Sequence, residues 1–147
     1  MDSSETPAIS AYPAGVPRRL GALLYDALLV IALWMGTLFL WVIASGGESV
    51  EGLGVQLVLL AELIVFYLGF WSRQGQTLGM AAWHIKLVDA NGQPPSWRQL
   101  CVRLTIAPLS FGTAGLGFFW FYVGTRQQTW HDRISDTFVV HIPKTKK

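Results

Sequence analysis

The most constraining feature of this sequence is a single carboxylate inside a long apolar run. The run extends from Leu20 to Ser45, directly after Arg18 and Arg19, and Asp26 is its one charged residue. As a helix it would rise about 39 Å, which exceeds the roughly 30 Å hydrocarbon core of a bilayer. An acidic side chain near the middle of such a helix costs about 2.5 to 3.5 kcal/mol. Asp26 must therefore be protonated, paired or turned toward an interior cavity.

The composition indicates a membrane protein. The 147-residue chain is 52% hydrophobic and 14% charged, whereas ordinary soluble domains carry about 25% charged residues. Two further apolar runs, Leu53 to Trp71 and Leu104 to Gly124, approach transmembrane length. We expect one membrane domain over residues 18–142. It lies between a disordered cytoplasmic tail, residues 1–17, and a short basic tail, residues 143–147.

A cleaved secretory signal is the competing interpretation of the first run, because two arginines precede it. Its apolar part exceeds the roughly 7 to 15 residues of a signal core and Asp26 interrupts it early, so we expect a retained helix. The single Cys101 cannot form an intrachain disulfide. The formal charge of +2 is too small for nucleic-acid binding. Anionic lipid headgroups are the expected partners of the basic residues.

The distribution of the eleven basic residues orients the chain. Two precede the first apolar run, four lie between the second and third runs, and five follow the third. The loop of residues 46–52 contains Glu48 and Glu51 but no Lys or Arg. By the positive-inside rule the N-terminus is cytoplasmic and this loop is outside. We therefore expect an antiparallel transmembrane helix hairpin in a multi-pass protein of the bacterial inner or plasma membrane.

The third run, residues 104–124, conflicts with this rule if it crosses once, because five basic residues would then lie outside. Pro108 removes a backbone donor, and three glycines weaken the helix, namely Gly112, Gly115 and Gly117. These features favour a broken or re-entrant segment that returns to the cytoplasm. A straight span remains the alternative, since a helix of this length rises about 31 Å.

Two short segments predict a small cytoplasmic β element. His84 to Val88 alternates polar and apolar residues as a strand does, and the turn signal Asn91-Gly92 follows it. Thr137 to Ile142 is a second strand candidate, which could pair with the first if both lie on one side of the membrane. The remainder of the fold is predicted to be all α-helical.

An amphipathic helix is predicted just before the third run. Ser96 is a good N-cap, and apolar side chains recur at helical spacing, namely Trp97, Leu100, Cys101 and Leu104. We expect this helix to lie at the inner membrane interface.

Four short motifs occur in a fixed order along the chain. They are Arg19 with Asp26 seven residues later; Gly75, Gln76, Thr77, Leu78 and Gly79; Val88, Asp89 and Gly92; and His131-Asp132-Arg133-Ile134-Ser135 continuing to Val140. With these motifs the chain resembles the RDD family, small membrane proteins named for one arginine and two aspartates. The resemblance covers nearly everything from Arg19 to Val140. Transport of ions or small ligands is the function that it implies.

Two positions depart from the family pattern. Met80 stands where the family usually has a basic residue, and Asp136 stands where it usually has glycine. The first departure weakens the interpretation of the loop Gly75 to Gly79 as an anion site.

The charged residues that the resemblance singles out form a predicted network. Arg19 and Asp26 lie on one helix face about 10.5 Å apart, too far for direct contact because helical side chains lean toward the N-terminus. Arg103 is the first choice as the partner of Asp26, and the neutral alternatives are Thr105, Thr125 and Tyr67. Arg19 would instead meet Asp132 at the cytoplasmic rim. These contacts either serve function or are structural links that lock the third segment to the hairpin.

Glu62 is a second intramembrane carboxylate. Counted from the cytoplasmic ends of the two helices, it lies about 16 Å deep and Asp26 about 10 Å deep. Repulsion between them would favour protonation of one and permit exchange of a proton or cation. The alternative is a protonated Glu62 that bonds a neighbouring helix or lies in a dimer interface.

No catalytic motif is present in the sequence. It contains no phosphate loop, no Ser-His-Asp arrangement and no zinc-binding helix, and His131-Asp132 has too few companions for a metal centre. We expect no enzyme activity, metal or cofactor. The sequence favours a transport protein that acts as a homo-oligomer or in a larger membrane complex. The alternative is a non-transporting membrane subunit or scaffold that binds a partner membrane protein.

Overall fold

Two long helices dominate the computed structural model, which describes residues 13–112, Tyr122 and residues 129–142. Helix α1 is Val16–Ala44 and helix α2 is Leu53–Gln74, with mean hydropathies of 2.4 and 2.1. Within the chain only 6% of the most apolar stretch of each helix is buried. The core helix of a soluble protein hides its apolar side chains, whereas these helices present them outward. Both helices are therefore suited to cross a membrane.

Helix α1 begins earlier than the sequence predicted. Pro17 lies in its first turn, where the missing N–H would have no acceptor within the helix. Ala14 donates its N–H to the carbonyl of Val139 at 2.9 Å, and Pro13 forms a bridge with Val140. The predicted disordered tail is therefore wrong for residues 13–17, because their backbone finds partners along a strand edge. Residues 1–12 lie outside the described part of the chain.

Two side-chain hydrogen bonds, about one helical turn apart, join α1 and α2. The indole N–H of Trp34 donates to the carbonyl of Leu59 at 3.0 Å, and the hydroxyl of Thr37 donates to Glu62 at 2.5 Å.

Helix α2 extends three residues past the predicted end at Trp71 and stops at Gly75. Gly75 has a φ of 65°, and a Cβ there would lie 2.8 Å from a backbone carbonyl, so glycine is required.

After α2 the chain folds back onto α1. A short helix, α3 (Leu78–Ala82), packs against α1, and strand β1 (Ile85–Asp89) follows it. Strand β1 pairs antiparallel with β2 (Thr137–His141), with Leu87 opposite Val139. The two predicted strands are thus present, each within one residue of its expected ends, and they form a two-stranded sheet.

Helix α4 (Trp97–Gly112) begins with a reciprocal cap. Gln99 accepts the N–H of Ser96 at 2.8 Å, and the Ser96 hydroxyl accepts the N–H of Gln99 at 3.4 Å. The helix continues through Pro108, so the predicted amphipathic helix and the start of the third apolar run are one element. On the expected apolar face Leu100 is buried, but Trp97 and Cys101 are exposed. Most of the remaining third run lies outside the described residues.

The core of the described chain gathers at one end of the helix pair. The buried apolar residues come from the sheet, α3 and the adjoining parts of the long helices and α4, namely Ala14, Ala22, Trp71, Met80, Ile85, Leu87, Leu100 and Val139. The last helix, α5 (Trp130–Ile134), packs against α4 at this end. A compact end therefore joins the start of α1 to the end of α2.

The turn between α5 and β2 contains Asp136, one of the two departures from the family pattern. Asp136 has a φ of 52°, which lies in the left-handed region of backbone conformation. This conformation is unfavourable for residues with a side chain but costs glycine almost nothing. The glycine usual at this position suits the backbone that this chain also adopts.

Candidate functional site

Asp132 is the centre of a buried cluster of charges. Its side chain is 0% exposed, and each of its two carboxylate oxygens forms an ion pair with a different guanidinium group. Arg19 comes from α1 and Arg103 from α4, while Asp132 itself lies in α5. The N–H of Thr129 also donates to this carboxylate, at 3.3 Å. One carboxylate thus connects three helices.

The two guanidinium groups make further contacts that hold them in place. Arg19 donates from Nε to the carbonyl of Ala14 at 2.9 Å. Arg103 donates to the hydroxyl of Thr137 at 3.0 Å and lies over the ring of Trp71, 5.5 Å from its centroid. Buried charges are costly unless they are paired and hydrogen-bonded, and most of these donors are satisfied. Within the described part of the chain, however, Arg103 Nε has no hydrogen-bond partner.

The cluster carries a net positive charge at neutral pH. Burial alone would raise the pKa of Asp132, but the charges of Arg103 and Arg19 hold that pKa well below its ordinary value. Burial, together with the neighbouring Arg103 charge, lowers the pKa of His131 to about 3. Asp132 is therefore ionised and His131 neutral, which leaves two positive charges against one negative.

Asp26 is buried at a second, neighbouring position, with 2% of its surface exposed. The Thr77 hydroxyl donates to one of its oxygens, and the N–H of Gly79 donates to the other at 2.8 Å. Thr77 also accepts the N–H of Met80 at 3.1 Å, which caps α3. The loop motif and the first-helix aspartate thus meet in space.

The partner predicted for Asp26 is therefore wrong. Arg103 pairs with Asp132, and two neutral donors at the N-terminal end of α3, Thr77 and Gly79, occupy both oxygens of Asp26. Of the neutral alternatives, Thr105 is exposed and donates to its own helix, and Thr125 lies outside the described residues. The prediction failed because α3 folds back onto α1 and brings Thr77 and Gly79 to Asp26. Local sequence patterns do not reveal this contact. The expected contact between Arg19 and Asp132 is present.

Glu62 does not meet Asp26, and the prediction that the two carboxylates lie at similar depth is wrong. Glu62 accepts a hydrogen bond from Thr37 at 2.5 Å, and Thr37 lies eleven residues beyond Asp26 on α1, about 16 Å along the axis. The depths were counted from the cytoplasmic ends of the two helices, but the hydrogen bond between Thr37 and Glu62 shows that these ends do not lie at one level. Within the described chain, the second oxygen of Glu62 has no hydrogen-bond partner.

A cavity of about 80 Å³ separates Asp26 from the charge cluster. Its polar lining consists of Arg19, Asp26, Tyr67, Arg103 and His131, and apolar side chains complete the wall. Since a water molecule occupies about 30 Å³ in the liquid, two or three waters would fill this space. The cavity brings together an acid held by neutral donors and two basic groups from different helices.

Several residues of this site were not identified from the sequence. Thr129 and Thr137 bind the charged residues, and Trp71 stacks on Arg103, yet none of them stands out in the pattern of hydropathy. Thr77 belonged to a recognised motif, but its contact with Asp26 was not expected. Among the described residues, no three His, Cys, Asp or Glu side chains are grouped as metal ligands would be.

The fold and the site together define a class. Two exposed apolar helices joined to a compact end with buried ion pairs are typical of a small helical membrane protein. The RDD family model matches residues 13–136, and the chain belongs to the RDD family. Comparison with curated proteins and with solved structures finds no match.

The close approach of α3 to α1 predicts that Gly79→Ala destabilises the protein. The new methyl group would overlap the carbonyl of Ala22 and lie 2.8 Å from the Asp26 carboxylate. We expect a loss of about 1–3 kcal/mol, seen as a lower thermal unfolding midpoint in detergent. Gly69→Ala in α2 is the matched control, since nothing lies within 4 Å of its Cβ position. Equal midpoints for the two variants would contradict the packing described here.

The neutral His131 predicts a specific loss of stability in acid. An unfolded histidine titrates near pH 6.5, whereas this one titrates near 3, so the unfolded chain takes up the proton first as the pH falls. Its contribution should lower stability by about 2 kcal/mol between pH 7.5 and 5. His131→Gln should remove that part of the pH dependence in unfolding measurements, and the control His141→Gln should keep it. An unchanged slope in His131→Gln would show that the ring is protonated in the folded protein.

Proposed function

We propose that this protein is a transport subunit of the bacterial inner or plasma membrane, which moves a proton or a small ion past Asp26. The observation that carries this proposal is the cavity in which Asp26 faces Tyr67, His131 and two guanidinium groups. A buried carboxylate beside a small cavity that charged side chains also line can bind and release a proton or ion. Because Thr77 and Gly79 are neutral donors, they can remain hydrogen-bonded to Asp26 whether it is ionised or protonated. A fixed cation would favour the ionised form alone.

Glu62 supplies a second exchange site further into the membrane. It lies in the middle part of α2, hydrogen-bonded to Thr37. Because it is about 16 Å from Asp26 along the helices, the two carboxylates act in succession rather than as a repelling pair. The second oxygen of Glu62, which has no hydrogen-bond partner among the described residues, is available to a passing ion or to a second subunit.

The topology that we propose has the N-terminus in the cytoplasm, the loop of residues 46–52 outside and the two long helices as an antiparallel hairpin. The compact end is then cytoplasmic, and the start of α4 lies at the inner interface with Trp97 exposed toward lipid. Arg103 and Asp132 form an ion pair, so the two ends of the intervening segment lie together. This supports a re-entrant third segment over a single straight crossing.

The transporting unit is an oligomer in this proposal. Two long helices and one re-entrant segment are too few to enclose a path through the bilayer. The exposed apolar faces of α1 and α2 are available to lipid and to other copies of the chain.

A non-transporting subunit or scaffold is the second candidate, and a specific observation favours it. Both family aspartates are fully occupied within the chain, Asp132 by two arginines and Asp26 by Thr77 and Gly79. Such contacts suit a rigid platform that binds a partner membrane protein. Neither candidate requires enzyme activity or a cofactor.

The topology predicts where introduced cysteines can be labelled. In a Cys101→Ser background, a cysteine at position 145 should react with a membrane-impermeant maleimide only after the cells are opened. Glu48→Cys is the matched control and should react in intact cells. Labelling of position 145 from outside would reject the re-entrant segment.

The transport proposal predicts a flux that depends on Asp26. Proteoliposomes with an internal pH dye should acidify or alkalinise faster than empty ones when a salt gradient is applied. At equal folded amounts, Asp26→Asn should lower this rate at least about tenfold, because the amide keeps the shape but cannot exchange a proton. Glu62→Gln should also slow it.

The control for that measurement is Glu51→Gln, which removes a carboxylate from the exposed loop and should leave the rate unchanged. A wild-type rate equal to that of empty vesicles would reject transport and favour the scaffold.

A further inference from the structure

We propose that the cavity beside Asp26 binds one small monovalent inorganic anion, and that this anion binds together with a proton on Asp26. The inference rests on the proposed transport function, since it names the solute of the same cavity. In this proposal, binding of the proton favours binding of the anion, and the reverse.

The charges around the cavity carry the argument. Arg19 on α1 and Arg103 on α4 are positive, and Asp132 on α5 neutralises one of them. The phenol of Tyr67 on α2 and the ring of His131 on α5 are uncharged at neutral pH. The cavity-lining residues of α3 and the two strands, Met80, Ile85 and Val139, do not titrate.

The net charge therefore depends on Asp26. With Asp26 ionised the buried groups sum to zero, and with Asp26 protonated they sum to +1. An uncompensated buried charge is costly, so protonation creates a requirement for one negative charge in the cavity. Release of the proton restores neutrality and expels the anion.

Arg103 provides the donor for such an anion. Its side chain lines the cavity and is 6% exposed, yet within the described chain its Nε has no hydrogen-bond partner. A buried donor without an acceptor costs about 1–3 kcal/mol, and more when the group is charged. An anion in the cavity would accept this N–H.

The size of the cavity suits a small ligand. A volume of about 80 Å³ is enough for a halide or nitrate with one or two waters. A divalent oxyanion such as sulfate would leave an excess negative charge beside Asp132. Leu23, Met80 and Val139 make part of the wall apolar, which favours weakly hydrated anions.

The test is calorimetric titration of the full-length protein in detergent with sodium chloride against a sodium gluconate background. We expect chloride to bind at least about tenfold more tightly at pH 5 than at pH 8, since linkage to one proton changes affinity by up to tenfold per pH unit. Asp26→Asn resembles the protonated state. It should bind chloride tightly at both pH values.

Arg103→Lys tests the donor while keeping the positive charge beside Asp132. It should weaken chloride binding at pH 5 about tenfold, with the unfolding midpoint recorded alongside. If it does not fold, Tyr67→Phe removes a second donor of the lining and should weaken binding severalfold. Arg98→Gln, an exposed basic residue on the same helix, is the control and should bind as the wild type does.

The outcomes separate this inference from the transport proposal. Equal chloride affinity at both pH values, or sulfate that competes as well as bromide, would overturn the anion site. Proton flux without any chloride binding would also overturn it and leave transport standing. Proton-linked chloride binding without flux would support the anion site and reject transport.

Discussion

One buried carboxylate holds the compact end of this protein together. Asp132 receives a guanidinium group from α1 on one oxygen and from α4 on the other, in a place without contact to solvent. Removal of one partner from a buried ion pair costs about 3–5 kcal/mol, because the remaining charge is left uncompensated. The start of α1, the middle of α4 and the sheet are consequently held together at this carboxylate, although they are far apart in the chain.

The two family aspartates are buried alike but bound differently, and this difference decides what each can do. Asp132 has two fixed cations as partners, so its charge cannot change without disrupting the fold. Asp26 has a hydroxyl and a backbone N–H, which accommodate a change of charge with little rearrangement. Asp132 therefore has a structural role, and the cavity lies beside Asp26, the carboxylate that we propose exchanges a proton.

The departures from the family pattern affect this arrangement in different ways. Met80 is buried and lines the cavity, where a basic residue is usual, so in this chain that wall is apolar. The positive charge of the described lining therefore comes from Arg19 and Arg103. Asp136 adopts the left-handed backbone that suits glycine, which affects the turn into β2 but not the cavity.

The sequence by itself determined the two long apolar helices, both strands, the cap at Ser96 and the family, because hydropathy, alternation and short motifs act over neighbouring residues. With the family resemblance, it also predicted the contact between Arg19 and Asp132, on the condition that the C-terminus lies on the cytoplasmic side. Only the tertiary structure decided that Arg103 joins Asp132, that Thr77 and Gly79 bind Asp26, and that Glu62 lies far from Asp26. The first depends on α5 packing against α4, the second on α3 folding back onto α1, and the third on how α1 and α2 are aligned along their axes. Such long-range contacts leave no periodic pattern in the sequence.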